Sequence, residues 1–202
     1  VSAFEGALDA VVDRDGDDAL VDLRADAYGH GAAEVERRAR ERGIRRFIRT
    51  AAEAQEIAPQ RLVEPYGLVP GSTPVLQLIA EIIAVKRVPA GTAVSYGYTY
   101  RTRSEATLAL VGLGYADGVP RLASSRAPVR VGSTTGVVAG RVAMDQFVVD
   151  LGERADDAQP GDDAVLWDDA ATLAAWAATT EREPAALTAG LGRRIERRWE
   201  AG

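Results

Sequence analysis

The sequence predicts an α+β protein in two parts, a short β-α-β-α unit followed by a domain of antiparallel strands. Up to about Ile57, short apolar runs alternate with stretches of helical periodicity. A Pro/Gly-rich stretch, Glu64-Pro65-Tyr66-Gly67-Leu68-Val69-Pro70 followed by Gly71-Ser72-Thr73-Pro74, then interrupts the chain. From Val75 to Leu151 the pattern becomes apolar alternation broken by Gly, Pro and Ser, as expected of strands joined by turns in a small barrel or sandwich.

The elements follow in order. An initial helical stretch ends at the acidic turn Asp13 to Asp18, and the apolar run Ala19 to Leu23 reads as the first strand. Ala32 to Arg42 mixes Ala, Val and charge at helical spacing and stops at Gly43, a C-terminal signal. Phe47 and Ile48 start a second short strand, and Thr50 to Ile57 reads as a second helix. In the β-rich part, Leu76 to Val85, Thr107 to Leu113, Val129 to Val131 and Gln146 to Leu151 read as strands. Thr172 to Ala178 and Pro184 to Ala189 read as two helices, and Arg193 to Trp199 as a closing strand. The expected division is 1–69 and 70–202.

With 202 residues, 47% of them hydrophobic, and three Trp, six Tyr and three Phe, the chain can bury a real core. A formal charge of −6 offers no basic face for nucleic acid, and no partner of that kind is expected. Zero cysteines exclude disulfides and thiolate metal sites, and one histidine argues against a zinc site. The segment Val1 to Gly6 lacks a basic n-region and an apolar h-region, and no apolar run approaches membrane length. Cytoplasmic residence without membrane association is the resulting expectation.

Residues 21–31 read Val-Asp-Leu-Arg-Ala-Asp-Ala-Tyr-Gly-His-Gly, with Arg24 at the end of the first strand. A guanidinium stays protonated at any working pH and cannot serve as the free amine that Schiff-base chemistry needs. Of the 24 basic residues, 23 are arginine and the only lysine is Lys86. The Gly29-His30-Gly31 turn opens a helix, where backbone amides can receive an anion. His30, the single histidine, reads as packed scaffold at a strand-to-helix turn rather than as a base.

Residues 21–31 resemble the first barrel strand of alanine racemases, fold-type III pyridoxal phosphate enzymes. Four further blocks match that family in order and spacing: Val85 to Thr92, Val94 to Gly97, Gly114 to Arg121 and Gly140 to Gln146. The resemblance implies the remnant of a TIM barrel in residues 1–69 and a family C-terminal β domain in 70–202. A complete (β/α)₈ barrel takes about 250 residues, and here the β-rich domain already begins at Val75. The two β-α units left have sheet edges that something else must cover.

The resemblance also implies roles. Arg24 stands where the family's lysine holds pyridoxal phosphate, so no covalent link to that cofactor is expected. Tyr115 occupies the position of the catalytic acid/base tyrosine that one subunit delivers to its partner's site; a core tyrosine capping a turn is the structural alternative. Met144 and Asp145 match the positions that approach the substrate carboxylate, with a turn Asp satisfying backbone N–H groups as the alternative. Tyr28 matches a phosphate-contacting tyrosine. The family's second phosphate tyrosine has no counterpart, since Pro184-Ala185 stands there. The resulting expectation is a racemase relative that no longer interconverts L- and D-alanine. The alternative is a dimerisation or binding module that pairs with itself or with a full-length racemase and accepts a small amino-acid ligand.

Overall fold

The computed structural model describes residues 3–69, 72–153, 155 and 157–199. Pro70 and Gly71 of the expected boundary, and Val1 and Ser2 of the N-terminal segment, lie outside these residues. The chain divides into two units. One comprises the chain up to Leu76, Pro184–Gly190 and the segment from Ile195 on; the other comprises Gln77–Glu183 and Leu191–Arg194.

In the first unit, α1 (Ala3–Asp15) buries Phe4, Leu8 and Val11, a spacing that keeps all three on one helical face. A 3₁₀ turn at Gly16–Asp18 leads into β1 (Leu20–Asp22), which is buried along its whole length. Arg24–Tyr28 forms a helical turn, α2, of the wrong hand: Ala25, Asp26 and Ala27 have φ of 50–56° and ψ of 44–51°. Then come α3 (Ala32–Glu41) and β2 (Arg46–Ile48), which pairs parallel to β1 with Val21 opposite Phe47. The expected β-α-β-α order is present. The second helix is shorter than Thr50 to Ile57: α4 spans Ala51–Ala54, opened by a capping box between Thr50 and Glu53. After α5 (Pro59–Val63), Tyr66 is fully buried. Among the described residues this unit has two strands, packed over Leu20, Ile48, Ala54 and Leu62. Ion pairs such as Arg38–Glu5 (3.0 Å) and Arg42–Asp9 (2.8 Å) tie α3 to α1, each worth at most about 1 kcal/mol at such partly exposed positions.

The second unit is a closed antiparallel barrel of six strands among the described residues. They are β3 (Leu78–Val88), β6 (Ala106–Val111), β7 (Pro128–Val131), β8 (Thr134–Val138), β9 (Phe147–Asp150) and β10 (Asp163–Trp167), in the order β10-β3-β6-β9-β8-β7. A short hairpin, β4 (Ala93–Val94) with β5 (Tyr100–Arg101), stands apart from it. Closure removes the free edges that an open sheet presents. Inward residues alternate, as in β9, where Phe147 and Val149 are buried while their neighbours are not. Burying a Phe of this kind contributes about 1.5–3 kcal/mol. Helix α6 (Ala170–Thr180) opens on an Asp169 cap and brings Trp176 edge-on to Trp167, with its indole N–H on the Pro128 carbonyl at 2.8 Å.

Two strand readings need correction. β8 and β10 were not expected as strands, because Thr134-Thr135-Gly136 and the four-residue apolar run Ala164 to Trp167 carry too little alternation to register. Arg193 to Trp199 forms no strand, and the expected helix before it is α7 (Pro184–Ala189). Five of the seven residues in 193–199 are charged, so the segment has no apolar face for a sheet. Side chains hold its last part instead: Arg197 Nε donates to the Gly29 carbonyl at 2.7 Å, and the Trp199 ring lies under the Arg38 guanidinium and against Phe4.

Candidate functional site

The residues singled out from the sequence fall into two groups, each within one unit. In the first unit, Asp22 ends β1 with its side chain wholly buried. Its carboxylate accepts the Arg24 backbone N–H at 2.9 Å and Arg24 Nε at 3.0 Å on both oxygens, with Nη2 at 2.6 Å from Oδ2. The Tyr28 hydroxyl donates to the same Oδ2 at 2.7 Å and lies 3.3 Å from Arg24 Nη2. Arg24 and Tyr28 are thus brought together, on a carboxylate the sequence did not single out. The hydrogen bonds to Asp22 raise the Arg24 pKa further from any deprotonation. Burial and the bond to Asp22 push the Tyr28 phenol up to about 12. Beneath them, buried Tyr66 donates its hydroxyl to the Asp22 backbone carbonyl, and burial drives its pKa well above 10.

The left-handed turn places these groups. Each non-glycine residue in that conformation costs about 1–2 kcal/mol, offset here by bonds such as Gly31 N–H to Asp26 O and by the Asp22 cluster. Gly29, at φ +84°, ends the turn, and a Cβ there would fall 2.0 Å from the Thr188 carbonyl oxygen. The first amide of α3, Ala32 N–H, is taken by the Asp26 carboxylate at 2.8 Å. His30 is buried, with Nδ1 against the carbonyls of Ala27 (2.8 Å) and Tyr28 (3.1 Å) and the ring 4.7 Å from that of Tyr66. Both partners are acceptors, so Nδ1 carries the proton, and Nε2 is left without a hydrogen-bond partner. Burial lowers its pKa to about 4.

In the barrel unit, Tyr115 begins a 3₁₀ turn, Tyr115–Asp117, that docks on the segment before β9. The Tyr115 and Ala116 amides donate to the carbonyls of Ala143 and Met144, both at 3.0 Å. Gly114 allows the approach, since a Cβ there would lie 2.2 Å from the Met144 carbonyl oxygen. Tyr115 and Met144 are therefore neighbours with exposed side chains, 45% and 54%, and Arg121 lies over the Tyr115 ring at 5.8 Å. The Asp145 carboxylate meets Arg194 Nη2 at 2.7 Å and, among the described residues, accepts no local backbone N–H. Arg194 Nε also bonds Asp117 at 2.9 Å, whose other oxygen accepts the Gly114 N–H. Arg194 thus joins the Gly114–Gly118 turn to the Met144-Asp145 turn. It was read only as part of a strand, and its signal was weak: one arginine among several at the end of the chain.

The alanine racemase C-terminal domain family matches this chain over residues 75–199. An alanine racemase of Beutenbergia cavernae is 47% identical over 131 residues, 63% of this chain and 34% of that protein. The crystal structure of an alanine racemase from D-cycloserine-producing Streptomyces lavendulae aligns with a TM-score of 0.65 and 36% identity, covering 88% of this chain and 51% of that one. The alanine racemase of Bartonella henselae, solved with covalently bound pyridoxal phosphate, shares the fold at a TM-score of 0.80 and 15% identity, covering 96% of each chain. The chain spans about a third of the length of the curated relatives it matches. Among the described residues no helix is long and apolar enough to cross a membrane.

Proposed function

Because the chain belongs to the alanine racemase family through its C-terminal domain, we propose that it is a relative that does not itself racemise amino acids. In this reading residues 1–69 are the remnant of the family's barrel domain and 70–202 its C-terminal domain. The supporting observation is the Arg24 guanidinium, closed onto buried Asp22 and Tyr28 at the position matching the family's cofactor lysine.

Pyridoxal phosphate does not fit here as a covalently held group. Its aldehyde needs a side-chain amine, and the only lysine, Lys86, sits exposed on β3 in the barrel wall opposite Leu108. Tyr28, matched to a phosphate contact, has its hydroxyl committed to Asp22. The test is direct. Purified protein incubated with pyridoxal phosphate should release all of it on gel filtration and leave L-alanine unchanged; retained absorbance or D-alanine production would defeat the proposal.

A second reading is favoured by the exposure of Tyr115 and Met144 on adjoining turns. The chain pairs with itself or with a full-length racemase, and these residues with Asp145 complete a site in the partner. Co-expression with a full-length racemase should give a mixed dimer on size-exclusion chromatography, and exclusive monomer would count against it.

A further inference from the structure

Beside the barrel lies a cleft of about 380 Å³, framed by the loop between β4 and β5 and by residues 141–148. Ten residues line it and none is acidic; its one charge is Arg141. That guanidinium has no hydrogen-bond or ion-pair partner among the described residues, whereas most arginines of this chain are matched to carboxylates. It lies against the Gly97 backbone, where a Cβ would be 3.5 Å from its Cζ. Leu110 adds an apolar side chain to the lining, and Tyr96 and Tyr98 stand at it 67% and 68% exposed.

The loop holds this arrangement against its own backbone preference. Ser95 has φ 61° and ψ −176°, a conformation almost confined to glycine, and Gly97 and Tyr98 also have positive φ. The Ser95 hydroxyl donates to the Arg141 carbonyl at 2.7 Å, which ties the strained loop to the residue carrying the charge. We propose that this cleft binds a small organic carboxylate with a planar apolar body. The carboxylate would sit on the Arg141 fork and the body against the two tyrosines. A single guanidinium matches a monoanion in charge and in bidentate geometry, and tyrosines supply rigid contact area with polar tips. Neither Tyr115, Met144 nor Asp145 lines the cleft.

The probe is benzoate, followed by amide chemical-shift titration of the full chain, with benzamide and phenyl phosphate as comparisons. Benzoate should shift the amides of residues 95–98 and 141–147 in a saturable way. Benzamide should bind at least tenfold more weakly, and Arg141→Gln should weaken benzoate at least tenfold while leaving the remaining spectrum in place. Arg141→Lys, which keeps the charge without the fork, should fall between. The proposal is overturned by benzoate affinity unchanged in Arg141→Gln, by equal binding of benzamide, or by tighter binding of phenyl phosphate. It is also overturned if about 20 mM benzoate gives no shifts, or if the same amides shift with protein concentration alone, which would assign the face to self-association.

Discussion

The guanidinium of Arg24 lies 2.6 Å from the carboxylate of Asp22, a side chain with no solvent exposure. Two consequences follow: the carboxylate depends on that cation, and the cation is withdrawn from other work.

Arg24→Ala should destabilise the protein by about 1–3 kcal/mol in urea denaturation, because it leaves a buried carboxylate with only Tyr28 and a backbone amide for partners. The partial exposure of Arg24, 28%, keeps the figure below that of a fully buried pair. Arg24→Lys, which keeps a cation on Asp22, should retain much of this stability. Arg24→Lys should nevertheless gain no racemase activity in a coupled D-alanine assay, since its ammonium would face the same carboxylate. Clear turnover would show that one side chain alone had been limiting.

His30 makes stability fall in mild acid. Its pKa is about 4 in the folded state against an ordinary 6.5, so the unfolded chain binds the extra proton between those values. Stability therefore declines as pH drops from about 6.5 towards 4, by roughly 3 kcal/mol in total from this group. Thermal melts of wild type and His30→Gln across that window should differ in slope, with the variant flatter.

Gly114→Ala should cost about 2 kcal/mol or more, because its Cβ meets backbone rather than a movable side chain, 2.2 Å from the Met144 oxygen. Gly6→Ala in α1, where nothing lies within 4 Å, should instead stabilise by about 0.5–1 kcal/mol. Opposite shifts in the urea midpoint are the expected result.

Arg194→Ala should lower the urea midpoint only slightly, because its side chain is 56% exposed and its ion pairs are screened by solvent. Its sharper effect should be local. Faster hydrogen exchange at the Gly114 amide, which rests on Asp117, is expected, while the β6–β9 ladder stays protected.

Much of the fold was legible because its signals are short-range. The stop at Gly43, the Asp13–Asp18 turn and the alternation of Gln146 to Leu151 each mark an element end or face within a few residues. β10 was not legible, since Ala164 to Trp167 is buried throughout and gives no alternation to read. The failed closing strand shows the converse: Arg193 to Trp199 is mostly charged, and its Arg194 and Arg197 are held by partners far along the chain, Asp117 and Gly29.

For the site, the sequence by itself determined which functional groups exist. With Lys86 the only lysine, no second side-chain amine can arise from folding, because amine chemistry belongs to the residue and not to its surroundings. Tertiary structure decided which groups meet. Asp22 became the carboxylate under Arg24 and Tyr28 only through a left-handed turn, and Arg194 reached Asp117 across 77 positions. Such pairings depend on distances set by the whole packed chain, which no local spacing of residues records.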